Sequence, residues 1–226
     1  MPKYKIQEIK EEIKDILTGR RNLLDSLLPP LLFVIVNELV GFDAAMWSAL
    51  AVAFAFAVLR LVRGQSALSA LGGIGGVFIA IFLAKWMGRD ESFFLPGILS
   101  NLFWVVLFVA SLLIGKPLLA WGSYFLRKWP LEWYWHPRVR PAYMEVSLMW
   151  LVFMAARSSL QIFLYNHQAA GELAILTLVT GVPATILLLV ASYVYGNWRL
   201  GQLGGPSVEE YQSGTQPPWT GQGRGF

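Results

Sequence analysis

Cysteine is absent from the 226 residues, so disulfides, thiolate clusters and Cys-ligated zinc are excluded outright. Histidine is nearly absent as well: there are 2, His136 and His167. The topology argued below puts them on opposite sides of a membrane, where they cannot share one haem or metal ion. Charge is scarce, with 14% of the residues Asp, Glu, Lys or Arg, against about 25% in an ordinary soluble domain. No serine stands in a Gly-x-Ser-x-Gly setting or near a histidine. No nucleophile–base pair appears at usable spacing. An enzyme is therefore the least favoured class, and no cofactor or metal site is implied.

Apolar residues are abundant, at 56% of the chain, and they are gathered into long runs. Six runs stand out, at 27–42, 44–62, 67–86, 93–114, 143–165 and 173–195. About 20 apolar residues cross a bilayer core as a helix. Helices satisfy their own backbone in lipid, and runs of this length exceed a barrel strand. The expected fold is all-α: a polytopic membrane bundle of about six transmembrane helices over residues 23–200. The first run is short, opens with Pro29 and Pro30, and carries Asn37 and Glu38.

Residues 1–22 predict an amphipathic cytoplasmic helix. Ile6, Ile9, Ile13, Ile16 and Leu17 recur at spacings of three and four among Lys5, Glu8, Lys10, Glu11, Glu12 and Lys14. That face suits a membrane surface or a partner, or it packs on the membrane domain. The polar start and the lack of a small-residue cleavage site after the first run predict no cleavable leader. Residues 201–226 shift to Gly, Pro, Gln and Ser, a composition that predicts a disordered tail.

The net charge of +4 is a topology signal. Lys and Arg collect at the cytoplasmic ends of membrane spans. With the N-terminus inside, all of the 18 Lys and Arg except Lys85, Arg89 and Arg157 fall in segments on one side. Both termini are therefore expected in the cytoplasm. The long inner connection, 115–142, interleaves Trp121, Tyr124, Trp129, Trp133, Tyr134 and Trp135 with Arg127, Lys128, Arg138 and Arg140. Trp and Tyr favour the headgroup level, so this segment is expected on the inner membrane surface, and a nucleic-acid partner is not. The expected partners are the lipid bilayer and either other membrane proteins or a second copy of the chain.

Polar residues inside the runs are the candidate site. Glu38 lies near the outer end of the first run and Arg157 deeper in the fifth, and their depths differ by roughly 6 Å at about 1.5 Å per residue. An Arg side chain spans that difference, and a Glu38–Arg157 pair would offset two costly charges. Gln161 lies one turn from Arg157, Asn37 adjoins Glu38, and Asn101 sits near the outer end of the fourth run. These groups would line an outward-facing polar cavity or act as a brace between helices. In the third run, Gly72, Gly73, Gly75 and Gly76 do not form a phosphate loop, since no Gly-Lys-Ser/Thr follows and no strand precedes. Gly72, Gly73 and Gly76 mark helix packing, within the chain or in a homodimer. Asp90 and Glu91 read as the solvated end of a short outer loop.

Three short elements carry a resemblance. Arg60-Leu-Val-Arg63-Gly64-Gln65 leads into the Gly-rich run. Gly88-Arg89-Asp90-Glu91-Ser-Phe93-Phe94-Leu95-Pro96-Gly97 opens the fourth run, and Gly115-Lys116-Pro117-Leu118 closes it. The chain resembles, over roughly 27–200, a bacterial membrane family known as domain of unknown function 3159. Over about 85–120 it is similar, more distantly, to the intracellular septation protein A (YciB-like) family. The first resemblance implies a multi-helix protein of the bacterial plasma (inner) membrane with no assigned activity. The second implies a part in cell-envelope upkeep and septation. Neither supplies catalytic residues. Two functions follow as expectations: a non-enzymatic envelope protein acting through helix and protein contacts, or a small transporter or lipid-handling protein using Glu38 and Arg157.

Overall fold

The structure is a computed structural model and describes residues 35–36, 39–64, 66–222 and 226. The amphipathic stretch 1–22, most of the first apolar run, and both Asn37 and Glu38 lie outside the described residues. Every regular element described is helical. Helix α1 is Phe42–Val62 and α2 is Ala67–Met87. A 3-10 turn, Asp90–Phe94, leads into α3, Leu95–Leu113. Then come α4 (Leu118–Arg127), α5 (Leu131–Tyr134), α6 (Arg140–Asn166), α7 (Ala170–Thr180), α8 (Val182–Leu203) and α9 (Val208–Gln212).

Among the described residues, four helical stretches are long and apolar enough to cross a membrane: Asp43–Val62, Asp90–Leu113, Arg140–Asn166 and Ala170–Leu203. A shorter apolar stretch, Leu71–Met87, lies in α2. Phe54, Phe78, Phe82, Val106, Val152 and Leu187 stand exposed on these helices. Such surface has no stable place in water, and a bilayer is its natural solvent. The second to fifth runs coincide with α1, α2, α3 and α6. The sixth is not one helix as expected. It breaks at Gly181 into α7 and α8, where Pro183 has no N–H for the ladder.

The chain forms two compact units. In the first, up to Pro96 with Leu164–Val182, α1 packs on α2, and the 3-10 turn contacts α2 and α7. Ala45, Ala49, Ala53 and Ala57 are buried at every fourth position of α1, and Ala80 and Ala84 are buried on α2. Small side chains let helix backbones approach closely where lipid offers no hydrophobic drive. Gly64 (φ +73°) and Gly88 (φ +64°) follow α1 and α2 in the left-handed conformation that ends a helix.

The second unit, Gly97–Phe163 with Pro183–Phe226, corrects two expectations. Segment 115–142 is not an irregular loop: it forms α4 and α5. Pro117 and Pro130 start α4 and α5, as proline does before a first turn, and Trp133 and Tyr134 are fully buried. The tail carries a short helix and covers them. Trp133 Nε1 donates to the Pro206 carbonyl at 2.9 Å, and Val208 joins a core of Ala120, Trp133, Tyr134, Val139, Ala142, Tyr143 and Leu200. Ser207 caps α9: its hydroxyl accepts from Glu210 N, and Glu210 Oε2 accepts from Ser207 N at 2.8 Å. A Gly- and Gln-rich composition hides this order, because the apolar partners of the tail come from another segment.

Candidate functional site

Three polar clusters stand out among the described residues. The first lies in the first unit. Arg89 Nε donates to Glu91 Oε1 at 2.6 Å, and Arg89 Nη2 donates to the Tyr165 carbonyl at 3.1 Å. The Arg89 guanidinium lies 4.9 Å from the centre of the Tyr165 ring, and Ser92 Oγ is 3.2 Å from Tyr165 Oη. Glu91 is 4% exposed, so it is not the solvated loop end expected of it. A carboxylate can be buried here because its neighbour, two residues back, neutralises it. The 3-10 turn folds the pair together.

The second cluster joins α3 and α6. Asn101 Nδ2 donates to Ser158 Oγ at 2.7 Å, with the Met154 carbonyl at 3.3 Å and Gln161 Oε1 at 3.4 Å also in reach. Two amide hydrogens face three acceptors, so one is shared. Asn101, Ser158 and Gln161 are all buried. Asn101 and Gln161, expected among the groups of a polar cavity or brace, are bonded to each other, with Ser158 added. Met154, Ser158 and Gln161 recur at spacings of four and three, one face of α6. Arg157 adjoins that face. Its Nε is buried and has no hydrogen-bond partner among the described residues. The proposed partner of Arg157, Glu38, lies outside the described residues, as does Asn37.

The third cluster was not anticipated. Glu145 on α6 accepts from Arg199 on α8 through both carboxylate oxygens: Nε lies 2.7 Å from Oε2 and Nη2 lies 2.8 Å from Oε1. Tyr195 Oη, one turn before Arg199, donates to Glu145 Oε2 at 2.8 Å. A bidentate guanidinium–carboxylate pair fixes direction as well as contact. The available signal was Glu145 near the start of one run and Arg199 just past the end of another, both at predicted inner boundaries.

The glycines also sort themselves. A Cβ at Gly73 would lie 3.4 Å from Arg60 Nη1, so α2 accommodates the Arg60 guanidinium there. At Gly72 and Gly76 a Cβ would meet nothing within 4 Å among the described residues. Among the described residues, packing within the chain is therefore seen at Gly73 and not at the Gly72/Gly76 pair.

A family model described as "Protein of unknown function (DUF3159)" matches residues 17–197. The chain belongs to the DUF3159 family. No curated protein and no solved structure matches it. The motif residues of this DUF3159 chain fall at helix ends. Arg63 closes α1 ahead of Gly64, and Gly88 and Arg89 close α2 ahead of the 3-10 turn. Pro96 and Gly97 sit in the first turn of α3. Pro117 is buried at the start of α4, and Lys116 Nζ lies 5.8 Å from the centre of the Trp135 ring. DUF3159 assigns no activity, and the match carries none to these residues.

Proposed function

We propose that this DUF3159 protein is a non-enzymatic component of the bacterial plasma membrane, with both termini cytoplasmic, acting in the cell envelope through helix and protein contacts. The observation that supports it is the closure of the polar clusters. Asn101, Ser158 and Gln161 are bonded to one another, and so are Glu145, Tyr195 and Arg199. Polar groups bonded in this way hold helices in register and leave little chemistry open to a substrate. The envelope role is the part of the proposal drawn from the distant resemblance over about 85–120, and the cationic boundaries support the orientation.

A second reading, a small transporter or lipid-handling protein, draws on Arg157, whose buried Nε has no partner among the described residues. An ionisable group at membrane depth is costly and is commonly retained for function. The charge swap Glu38→Arg with Arg157→Glu separates the two. A brace predicts that each single change lowers the melting temperature in detergent and that the swap restores most of the loss. A folded swap variant that has lost a ligand-induced shift seen in the wild type would instead establish the transporter reading. Reporter fusions at each terminus test the orientation, and an N-terminal reporter active only outside the cell would refute it.

A further inference from the structure

A cavity of about 230 Å³ lies between α4, α6 and α8 in the second unit. Its walls are apolar along Leu126, Trp150 and Leu189, and its polar groups are Ser123, Arg127, Tyr143, Ser192 and Tyr193. Tyr143 is 0% exposed, and its hydroxyl has no hydrogen-bond partner among the described residues. The neighbouring Ser123 hydroxyl is paired with Tyr134 Oη at 3.1 Å. A buried hydroxyl without a partner is costly, so its occurrence on a cavity wall asks what would satisfy it.

The chain itself shows how the cavity is used. The Phe226 ring lies on the Tyr143 ring at 4.3 Å with 14° between planes. It also fills the space over Gly196, where a Cβ would overlap it. The Phe226 main-chain oxygen accepts from Arg127 Nη2 at 3.2 Å. Arg127 is steadied from its other side by Trp129, whose ring centre is 5.0 Å from the guanidinium carbon. A flat apolar body against Tyr143 with an oxygen on Arg127 is the outline of an amphiphile. From Tyr143 to Trp150 the cavity follows roughly 10 Å of α6, at about 1.5 Å per residue.

We propose that this cavity binds an anionic amphiphile in place of the Phe226 ring. Arg127 takes the carboxylate or phosphate, the Tyr143 hydroxyl donates to the same headgroup, and the first chain carbons run along Trp150, Leu189 and Leu126. A membrane lipid and a free fatty acid share this chemistry. Arg157 and Glu38 have no part in it, so its failure would leave the readings above untouched.

The test is native mass spectrometry of the full chain in a neutral detergent, titrated separately with phosphatidylglycerol, phosphatidylcholine of the same chains, and laurate. Retention of one phosphatidylglycerol or one laurate, about ten-fold tighter than phosphatidylcholine, supports the site and names the source. Arg127→Gln should weaken that binding about ten-fold, the scale of one charge-assisted hydrogen bond. Gly122→Leu should abolish it, because Gly122 lines the cavity, a Cβ there meets nothing within 4 Å, and the longer side chain takes up space the ligand needs. Phe226→Ala should tighten it, and the exposed Arg138→Gln should leave it unchanged. Equal binding of phosphatidylcholine would overturn the proposal. So would wild-type affinity in Gly122→Leu with an unchanged melting temperature.

Discussion

The surroundings of His136 disfavour its charged form. Its Nδ1 accepts the Arg138 backbone N–H at 3.2 Å, and its ring meets Trp219 at 5.4 Å and Tyr211 at 6.3 Å. Burial, and then the nearby Arg138 cation, push its pKa below the ordinary 6.5. The unfolded chain therefore binds this proton more readily than the folded one. The stability His136 contributes is complete above 6.5 and is lost as pH falls through its folded value. Glu210 acts in the same direction further down the scale. The Thr220 hydroxyl at 2.6 Å, with the backbone N–H groups of Ser207, Thr220 and Gly221, holds its carboxyl at about 2. Its contribution is complete above the ordinary 4.5 and is lost as pH falls toward about 2. Acidification should thus free the tail in two steps. Limited proteolysis of residues 204–222 should quicken as pH falls below 6.5, and this first step should vanish in His136→Gln. The second step should vanish in Glu210→Gln. An unchanged first step in the His136 variant would reject this account.

Gly181 decides where one apolar run becomes two helices. A Cβ there would come within 2.7 Å of the Thr177 carbonyl oxygen, a backbone atom that cannot step aside. Gly181→Ala should cost about 1–3 kcal/mol, read as a lower melting temperature, while Gly72→Ala, set in open space, should not. The runs themselves were legible because a bilayer imposes length and composition on every span. The break was not, since a Gly and a Pro two residues apart inside an apolar run read equally well as a tolerated kink. The helices and buried aromatics of segment 115–142 were hidden for a different reason. Trp and Tyr beside Arg and Lys describe a headgroup-level surface as well as a packed core with a charged rim. The packed core depends on Pro206 and Val208, far along the chain, which cover Trp133 and Tyr134. Asn101 and Gln161 were legible as polar residues at membrane depth. Ser158 was not, because a serine in a span ordinarily bonds its own helix.

At the scale of the molecule, many large apolar side chains on the described helices face outward, and buried aromatic or polar side chains gather at the 3-10 turn, between α3 and α6, and in the core under the tail. Removing residues 204–226 should uncover Trp133 and Tyr134 and leave the helices α3, α6 and α8 in place. Near-ultraviolet circular dichroism should fall while the far-ultraviolet helical signal stays within about a tenth of its value, apart from the short α9. Loss of most helix would show that the tail stabilises the spans as well as the core beneath it. The core under the tail also has a history during synthesis. Trp133 and its acceptor Pro206 are 73 residues apart. At about 5–20 residues per second, a ribosome needs roughly 4–15 seconds to supply the second after the first. For that interval a nascent chain holds the tryptophan and tyrosine of this core without the residues that later cover them.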